Sequence, residues 1–135
     1  MTEKNMKDLI RSAYAARVRG DLEGALAPFS DDAVFLFNAE GVGSPGFGVP
    51  AKGKAAIRQA LADLIKNFRF SDWQELALIA EKEKAALHWR ATVTFVPNGR
   101  SQTFEVIDLI TFRNGKIVDF HQNTDSAAVG ALMKN

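Results

Sequence analysis

The chain contains no cysteine, which excludes a disulfide framework, thiolate catalysis and cysteine zinc sites and suits a reducing cytoplasm. Its only two histidines, His88 and His121, lie far apart in sequence, with no H-x-x-x-H and no carboxylate at ligand spacing, so no metal site is expected. No G-x-S-x-G occurs, and serine catalysis has no support. No segment approaches the ~20 consecutive apolar residues of a membrane helix. The N-terminus, MTEKNMKDLIRSAY, carries charges where a secretory signal needs an apolar run. Charge of one sign is also missing: 17 Lys plus Arg against 16 Asp plus Glu leave a formal +1. Such a surface creates no field to gather nucleic acid or an anionic membrane. These absences together lead us to expect a soluble cytoplasmic protein without metal, cofactor, nucleic-acid or membrane partner.

What is present fits one domain, residues 1–135, because 135 residues at 47% hydrophobic and 24% charged suffice for a single sizeable core. Met6, Leu9, Ile10, Ala13 and Tyr14 recur at helical spacing with Lys7, Asp8, Arg11 and Arg17 on the other faces, predicting a helix over 3–19 that Gly20 ends. Asp21 caps a second short helix through Phe29, and Ser30-Asp31-Asp32 reads as its closing turn. AVFLFN, residues 33–38, is a brief strand apolar on both faces. Residues 39–52 read as the one long loop, expected to be either a lid or simply mobile. Within it, Gly41 to Gly46 matches G-x-G-x-x-G, but Pro45 and Pro50 prevent a helix from opening at those glycines, so no dinucleotide site is expected. A third helix over 54–67 carries Ile57, Leu61, Leu64 and Ile65 on one stripe.

From Phe68 the apolar period drops to two. Residues 68–80 read as a strand with Trp73, Ala77 and Ile79 opposing Phe70, Leu76 and Leu78, and Glu81 to Lys84 as a solvated turn. In 85–96, Leu87, Trp89, Ala91, Val93 and Phe95 share one face and His88, Arg90, Thr92 and Thr94 the other. The stretch Ser101 to Asp125 reads as two strands joined at Arg113-Asn114-Gly115, since Asn-Gly is a strong two-residue hairpin signal. Its first strand places Asp108 among Phe104, Val106, Ile110 and Phe112, where a carboxylate is paired, kept protonated or functional. Helices first and a strand meander after them argue for an α+β domain in which a curved antiparallel sheet wraps around three N-terminal helices as a cone. The outer face, with His88, Arg90, Thr92, Glu105 and Ile107, suits a partner subunit. By alternation His121 belongs to that outer side, opposite Phe120 and Gln122.

GDLEGALAPFSDDAVF, PAKGKAAIRQAL, FEVIDLITFRNGKIVDF and the closing NTDSAAVGAL resemble the SnoaL-like and ketosteroid-isomerase-like proteins of the nuclear transport factor 2 superfamily. The resemblance implies a cone-shaped α+β barrel of the cystatin-like kind and a homodimer packed through the outer sheet face. In Val106-Ile107-Asp108, Asp108 resembles the acid that donates a hydrogen bond to a steroid carbonyl. The family's base falls on Phe37, its tyrosine at or beside Ala13 with Tyr14 one position off, and the cyclases' acid near Gln122. The epoxide-hydrolase pattern likewise keeps Asp108 and finds Val106 and Gln122 in place of its other groups.

The resulting candidates are Asp108 and Tyr14 for chemistry, with Phe35, Phe37, Trp89, Phe95, Val106, Phe120 and Gln122 as ligand wall. Gln122 either orients a ligand or satisfies Asp108. The function they imply is binding of a hydrophobic small molecule, with isomerisation, cyclisation or dehydration of a carbonyl compound through Asp108 as proton donor. A non-catalytic binding module and a dimeric accessory domain with a filled cone stand as the other classes.

Overall fold

The structure is a computed structural model that describes residues 1–39 and 47–134. The Gly41 to Gly46 stretch, and with it residues 40–46 of the long loop, lie outside the described residues. The elements follow in the order α1 (Glu3–Val18), α2 (Leu22–Leu26), β1 (Phe29–Asn38), β2 (Ala51–Lys52), α3 (Lys54–Asn67), β3 (Phe68–Glu81), β4 (Lys84–Phe95), β5 (Arg100–Arg113), β6 (Lys116–Asn123) and α4 (Ser126–Met133). One six-stranded curved sheet runs β2-β1-β6-β5-β4-β3. All neighbours pair antiparallel except β1 with β6, which pair parallel. No helix among the described residues is long and apolar enough to cross a membrane.

Local chemistry sets the element ends. Thr2 accepts from the Asn5 amide and opens α1, and Gly20, at φ +79, ends it where other residues would be strained. Asp21 accepts from the Gly24 amide at 3.0 Å and starts α2. Asn114 and Gly115 both take positive φ, 53 and 78, which is the turn whose twist matches a tight hairpin. The core lies between α1, α3 and the concave sheet face, where Leu87, Trp89, Ala91, Val93 and Phe95 of β4 meet Phe104, Val106, Ile110 and Phe112 of β5.

Tertiary pairing overrides four local expectations. Ser30 to Asp32 are strand rather than turn: the Ile117 amide donates to the Pro28 carbonyl at 2.8 Å and Phe29 pairs with Ile117, so β6 draws β1 out to Phe29. In β3, register shifts between Ser71 and Gln74, with Asp72 at φ 51, bring Phe70 and Trp73 onto the same core instead of opposite faces. In β6 a further shift turns Ile117 inward, leaving Val118 half-buried at the position alternation assigns to the core. Finally, residues 126–133 form α4, capped by Asp125, whose carboxylate accepts from the Ala128 amide at 3.0 Å. Asn98 and Arg100 donate to carbonyls at its far end, so α4 is pinned across the mouth of the cone with Val129 and Leu132 buried.

Candidate functional site

Among the described residues, the buried side chains other than the apolar core are Asp108, fully buried, and Gln122, 3% exposed. They face each other because β5 and β6 pair in a register that sets Asp108 opposite Gln122. On the other side β4 pairs Leu87 with Asp108, and Trp89, two residues along, reaches back over the carboxylate. Tyr14 descends onto the group from α1.

Three donors converge on Asp108. The Tyr14 hydroxyl and the Trp89 indole Nε1–H, the latter at 2.9 Å, both donate to Oδ2. The Gln122 amide Nε2 donates to Oδ1 at 3.1 Å and also to the Tyr14 oxygen at 2.9 Å. With its nitrogen so engaged, Gln122 turns its Oε1 toward α1, where it accepts from Arg17 at 3.1 Å. The five side chains thus form one network of hydrogen bonds from the partly exposed Arg17 to the buried Asp108.

Two opposed effects set the charge on Asp108. Burial pushes its carboxyl from 3.8 up to about 6, against the pull of the Tyr14 and Trp89 hydrogen bonds, the Arg17 cation and the Gln122 amide. Burial also pushes the Tyr14 hydroxyl well above its ordinary value; the Asp108 charge adds to that rise and Arg17 opposes it. Tyr14 therefore keeps its proton near neutrality, while Asp108 exchanges its own around pH 6.

A cavity of about 40 Å³ lies inside the cone, walled by Phe37, Phe68, Phe70, Trp89, Val106 and residues of α4, with Arg17, Gln122 and Thr124 as its polar lining. A second space of about 320 Å³ opens between β1, β2 and α3, and shares Phe37 and Leu64 with the first. Phe47 packs on Phe37, ring centroids 4.6 Å apart, at the boundary.

The candidates named from the sequence fall into three groups. Asp108, Tyr14, Trp89 and Gln122 come together directly. Phe37 and Val106 wall the inner cavity, and Phe35 and Phe120 border a smaller space of about 20 Å³ beneath Tyr14. Phe95 packs against Phe68 at 5.2 Å and borders none of these three spaces. His88 and His121 are on the outer side, beside Glu105 at 2.7 Å and Asp119 at 3.1 Å.

Arg17 is the residue missed. Its charge assigns it to the solvent side, yet it is half-buried, with its guanidinium carbon 5.1 Å from the Phe70 ring centroid and 5.7 Å from that of Tyr14. Its place was legible: it follows Tyr14 by three and Ile10 by seven, the same face of the helix.

A family model described as SnoaL-like domain matches residues 10–120. The structure is similar to a nuclear transport factor 2-like protein of unknown function from Burkholderia pseudomallei, at 26% identity and a TM-score of 0.84, covering 100% of both chains. It is also similar to a Bacillus subtilis protein with the provisional name isomerase, at 21% identity and 0.85, covering 98% of this chain and 95% of that one. A provisionally named polyketide cyclase from Xanthomonas campestris matches at 17% and 0.78, with 98% of each chain covered. The last two likenesses carry the fold alone.

Proposed function

The chain belongs to the SnoaL-like domain family, and from that premise we propose that it acts on a hydrophobic carbonyl compound by isomerisation, cyclisation or dehydration, with Asp108 carrying the exchangeable proton. One observation carries this reading: a fully buried carboxylate in an apolar cone, held by three donors, with burial pushing its carboxyl up to about 6. Acid and base catalysis are most efficient when the group titrates near the working pH, because both forms are then populated. Tyr14 holds the carboxyl in place and keeps its own proton. The ligand occupies the outer space and displaces Phe37 to reach the inner one; together they fall in the range of ~300–1,000 Å³ usual for small-molecule sites.

Turnover of a panel of cyclic ketones and enones, followed from pH 5 to 8, tests this. The active form carries the proton, so the rate falls as pH rises through about 6. Asp108→Asn lowers the rate by roughly 10²–10⁴-fold, the usual worth of a positioned acid or base. Equal turnover and equal binding in the two proteins would remove Asp108 from the mechanism.

A second reading, binding without turnover, is favoured by one feature. Neither Asp108 nor Tyr14 borders the 40 Å³ cavity, since Gln122 and Trp89 stand in front of them. Under that reading compounds bind to the wild type and are recovered unchanged. In either case we propose a homodimer through the outer sheet face, where Ile79, Leu109 and Ile107 are 64%, 53% and 46% exposed.

A further inference from the structure

Arg17 is the one charged residue lining the 40 Å³ cavity, and it takes part in none of the ion pairs found among the described residues. Arg11, two turns earlier on the same helix, is different: it holds the Glu75 carboxylate with two bonds of 2.9 and 3.0 Å at the surface. Among the described residues, the sole hydrogen bond of the Arg17 side chain goes to a neutral acceptor, Gln122 Oε1. Gln122 does not turn its amide end toward the cation, because its nitrogen is occupied by Asp108 and Tyr14. The guanidinium lies over the Phe70 and Tyr14 rings, and its other N–H groups have no acceptor among the described residues. A planar, weakly hydrated fork with free donors, set against aromatic rings, is the arrangement that recognises a flat oxyanion.

We propose that Arg17 is the specificity-determining residue of the cavity and that the ligand is a flat apolar ring compound bearing a single oxyanion, a carboxylate or an enolate, seated on the guanidinium. The inference rests on the reading of the cone as a ligand site and adds the charge of the ligand to it. The charged group that meets the seated oxyanion is Arg17; Asp108 lies behind Gln122 and Trp89, which contribute dipoles only, as does neutral Tyr14. A second negative charge near Asp108 favours the protonated carboxyl, so seating the ligand takes up a proton.

The test compares 2-naphthoate with 2-acetonaphthone, which have nearly the same shape and differ in charge. Calorimetry gives the affinities, and the Trp89 indole N–H resonance reports occupancy of the cone. The expected result is a preference of at least tenfold for the carboxylate. Arg17→Gln reduces that preference to less than twofold and leaves acetonaphthone affinity within twofold, while Arg17→Lys, which keeps the charge, retains part of it. Thermal melting confirms that both variants fold. Naphthoate binding carried out in two buffers of different ionisation heat shows net proton uptake at pH 7, absent in Asp108→Asn. Binding of both compounds with equal affinity, or an equal loss of both in Arg17→Gln, overturns the anion subsite while leaving the cone a ligand site. Failure of both compounds to perturb Trp89 overturns the subsite and the ligand site together.

Discussion

The inward face of β5 holds Asp108 among Phe104, Val106, Ile110 and Phe112, all buried, whereas its outward face carries Glu105, Ile107 and Leu109, all exposed. Both faces therefore mix a carboxylate with large apolar side chains. Glu105 sits 2.7 Å from His88 with water around it, a pairing worth at most about 1 kcal/mol. Asp108 is fully buried, and its charge depends on Tyr14, Trp89 and Gln122. The same residue chemistry gives a solvated ornament on one side and a titrating, directional group on the other. The apolar residues differ in the complementary sense: the inner ones are buried in the fold, and the outer ones stand largely exposed.

Truncating one residue on each face gives the largest contrast. Trp89→Ala removes a side chain 2% exposed, together with a donor to Asp108, and should destabilise the chain by about 3–5 kcal/mol. Leu109→Ala, 53% exposed, should stay within about 0.5 kcal/mol for the isolated chain. Urea unfolding curves of both variants decide the matter, and similar losses would mean that the two faces are equally packed.

The acid on the inner face gives stability a pH dependence opposite in sign to that of the surface carboxylates. Folding raises the Asp108 carboxyl from 3.8 to about 6, so the folded chain binds the proton more tightly than the unfolded chain. Below about pH 4 both states carry it and burial of the charge costs nothing. Between about pH 4 and 6 stability falls as pH rises, by a total on the order of 3 kcal/mol from this group, and above that the cost is constant. Asp8, Asp21, Glu23 and Glu75 are lowered by surface partners and pull the other way, but they are common to wild type and Asp108→Asn. The difference between the two proteins' urea midpoints from pH 4 to 7 isolates Asp108, and a flat difference would refute its raised pKa.

Tyr14→Phe makes a smaller change at the same place. It deletes one hydrogen bond to the carboxylate and an acceptor of Gln122, and should cost about 1.5–3 kcal/mol at pH 7, the usual value for bonds to a charged group. Because that bond lowers the Asp108 pKa, its loss moves the titration above about 6, which carboxyl carbon NMR shifts follow directly. An unmoved titration would show that Trp89 and Gln122 hold the charge without Tyr14.

The legible part of this site and the hidden part have different physical origins. Asn114-Gly115 and the strict alternation through Phe104, Val106, Ile110 and Phe112 are local signals, so the hairpin and the inward direction of Asp108 followed from them. Helical periodicity likewise gave α1 and α3 nearly to their ends. The start of β1 depends on parallel pairing with β6, a contact distant in sequence, and its Ser-Asp-Asp reads locally as a turn. The bulge at Asp72 breaks the alternation that assigned Phe70 and Trp73 to opposite faces. Arg17 shows a third cause: charge type outweighed its helical position beside Tyr14, although a guanidinium stacked on rings needs little water. The match to Phe37 and Gln122 in place of acidic residues was readable; that Gln122 links Asp108 to Arg17 needed the register of β5 with β6.

The smallest effect on the chain's own stability is the one that most sharpens the difference between the two faces. Leu109→Glu adds a charge to an exposed position of β5 beside Ile107 and near Ile79, and it disturbs no buried contact. For the isolated chain the urea midpoint should therefore hardly move. If the outer face joins two copies, each new carboxylate meets apolar surface, or its own symmetry mate, away from water, and the desolvation is not repaid. Light scattering coupled to gel filtration should then show the wild type as a dimer and Leu109→Glu as a folded monomer at micromolar concentration. Titration of Asp108 should be the same in both, since its donors come from α1, β4 and β6 on the opposite side. A wild type that elutes as a monomer would leave Ile79, Ile107 and Leu109 as scattered surface residues and confine the function of the sheet to its inner face.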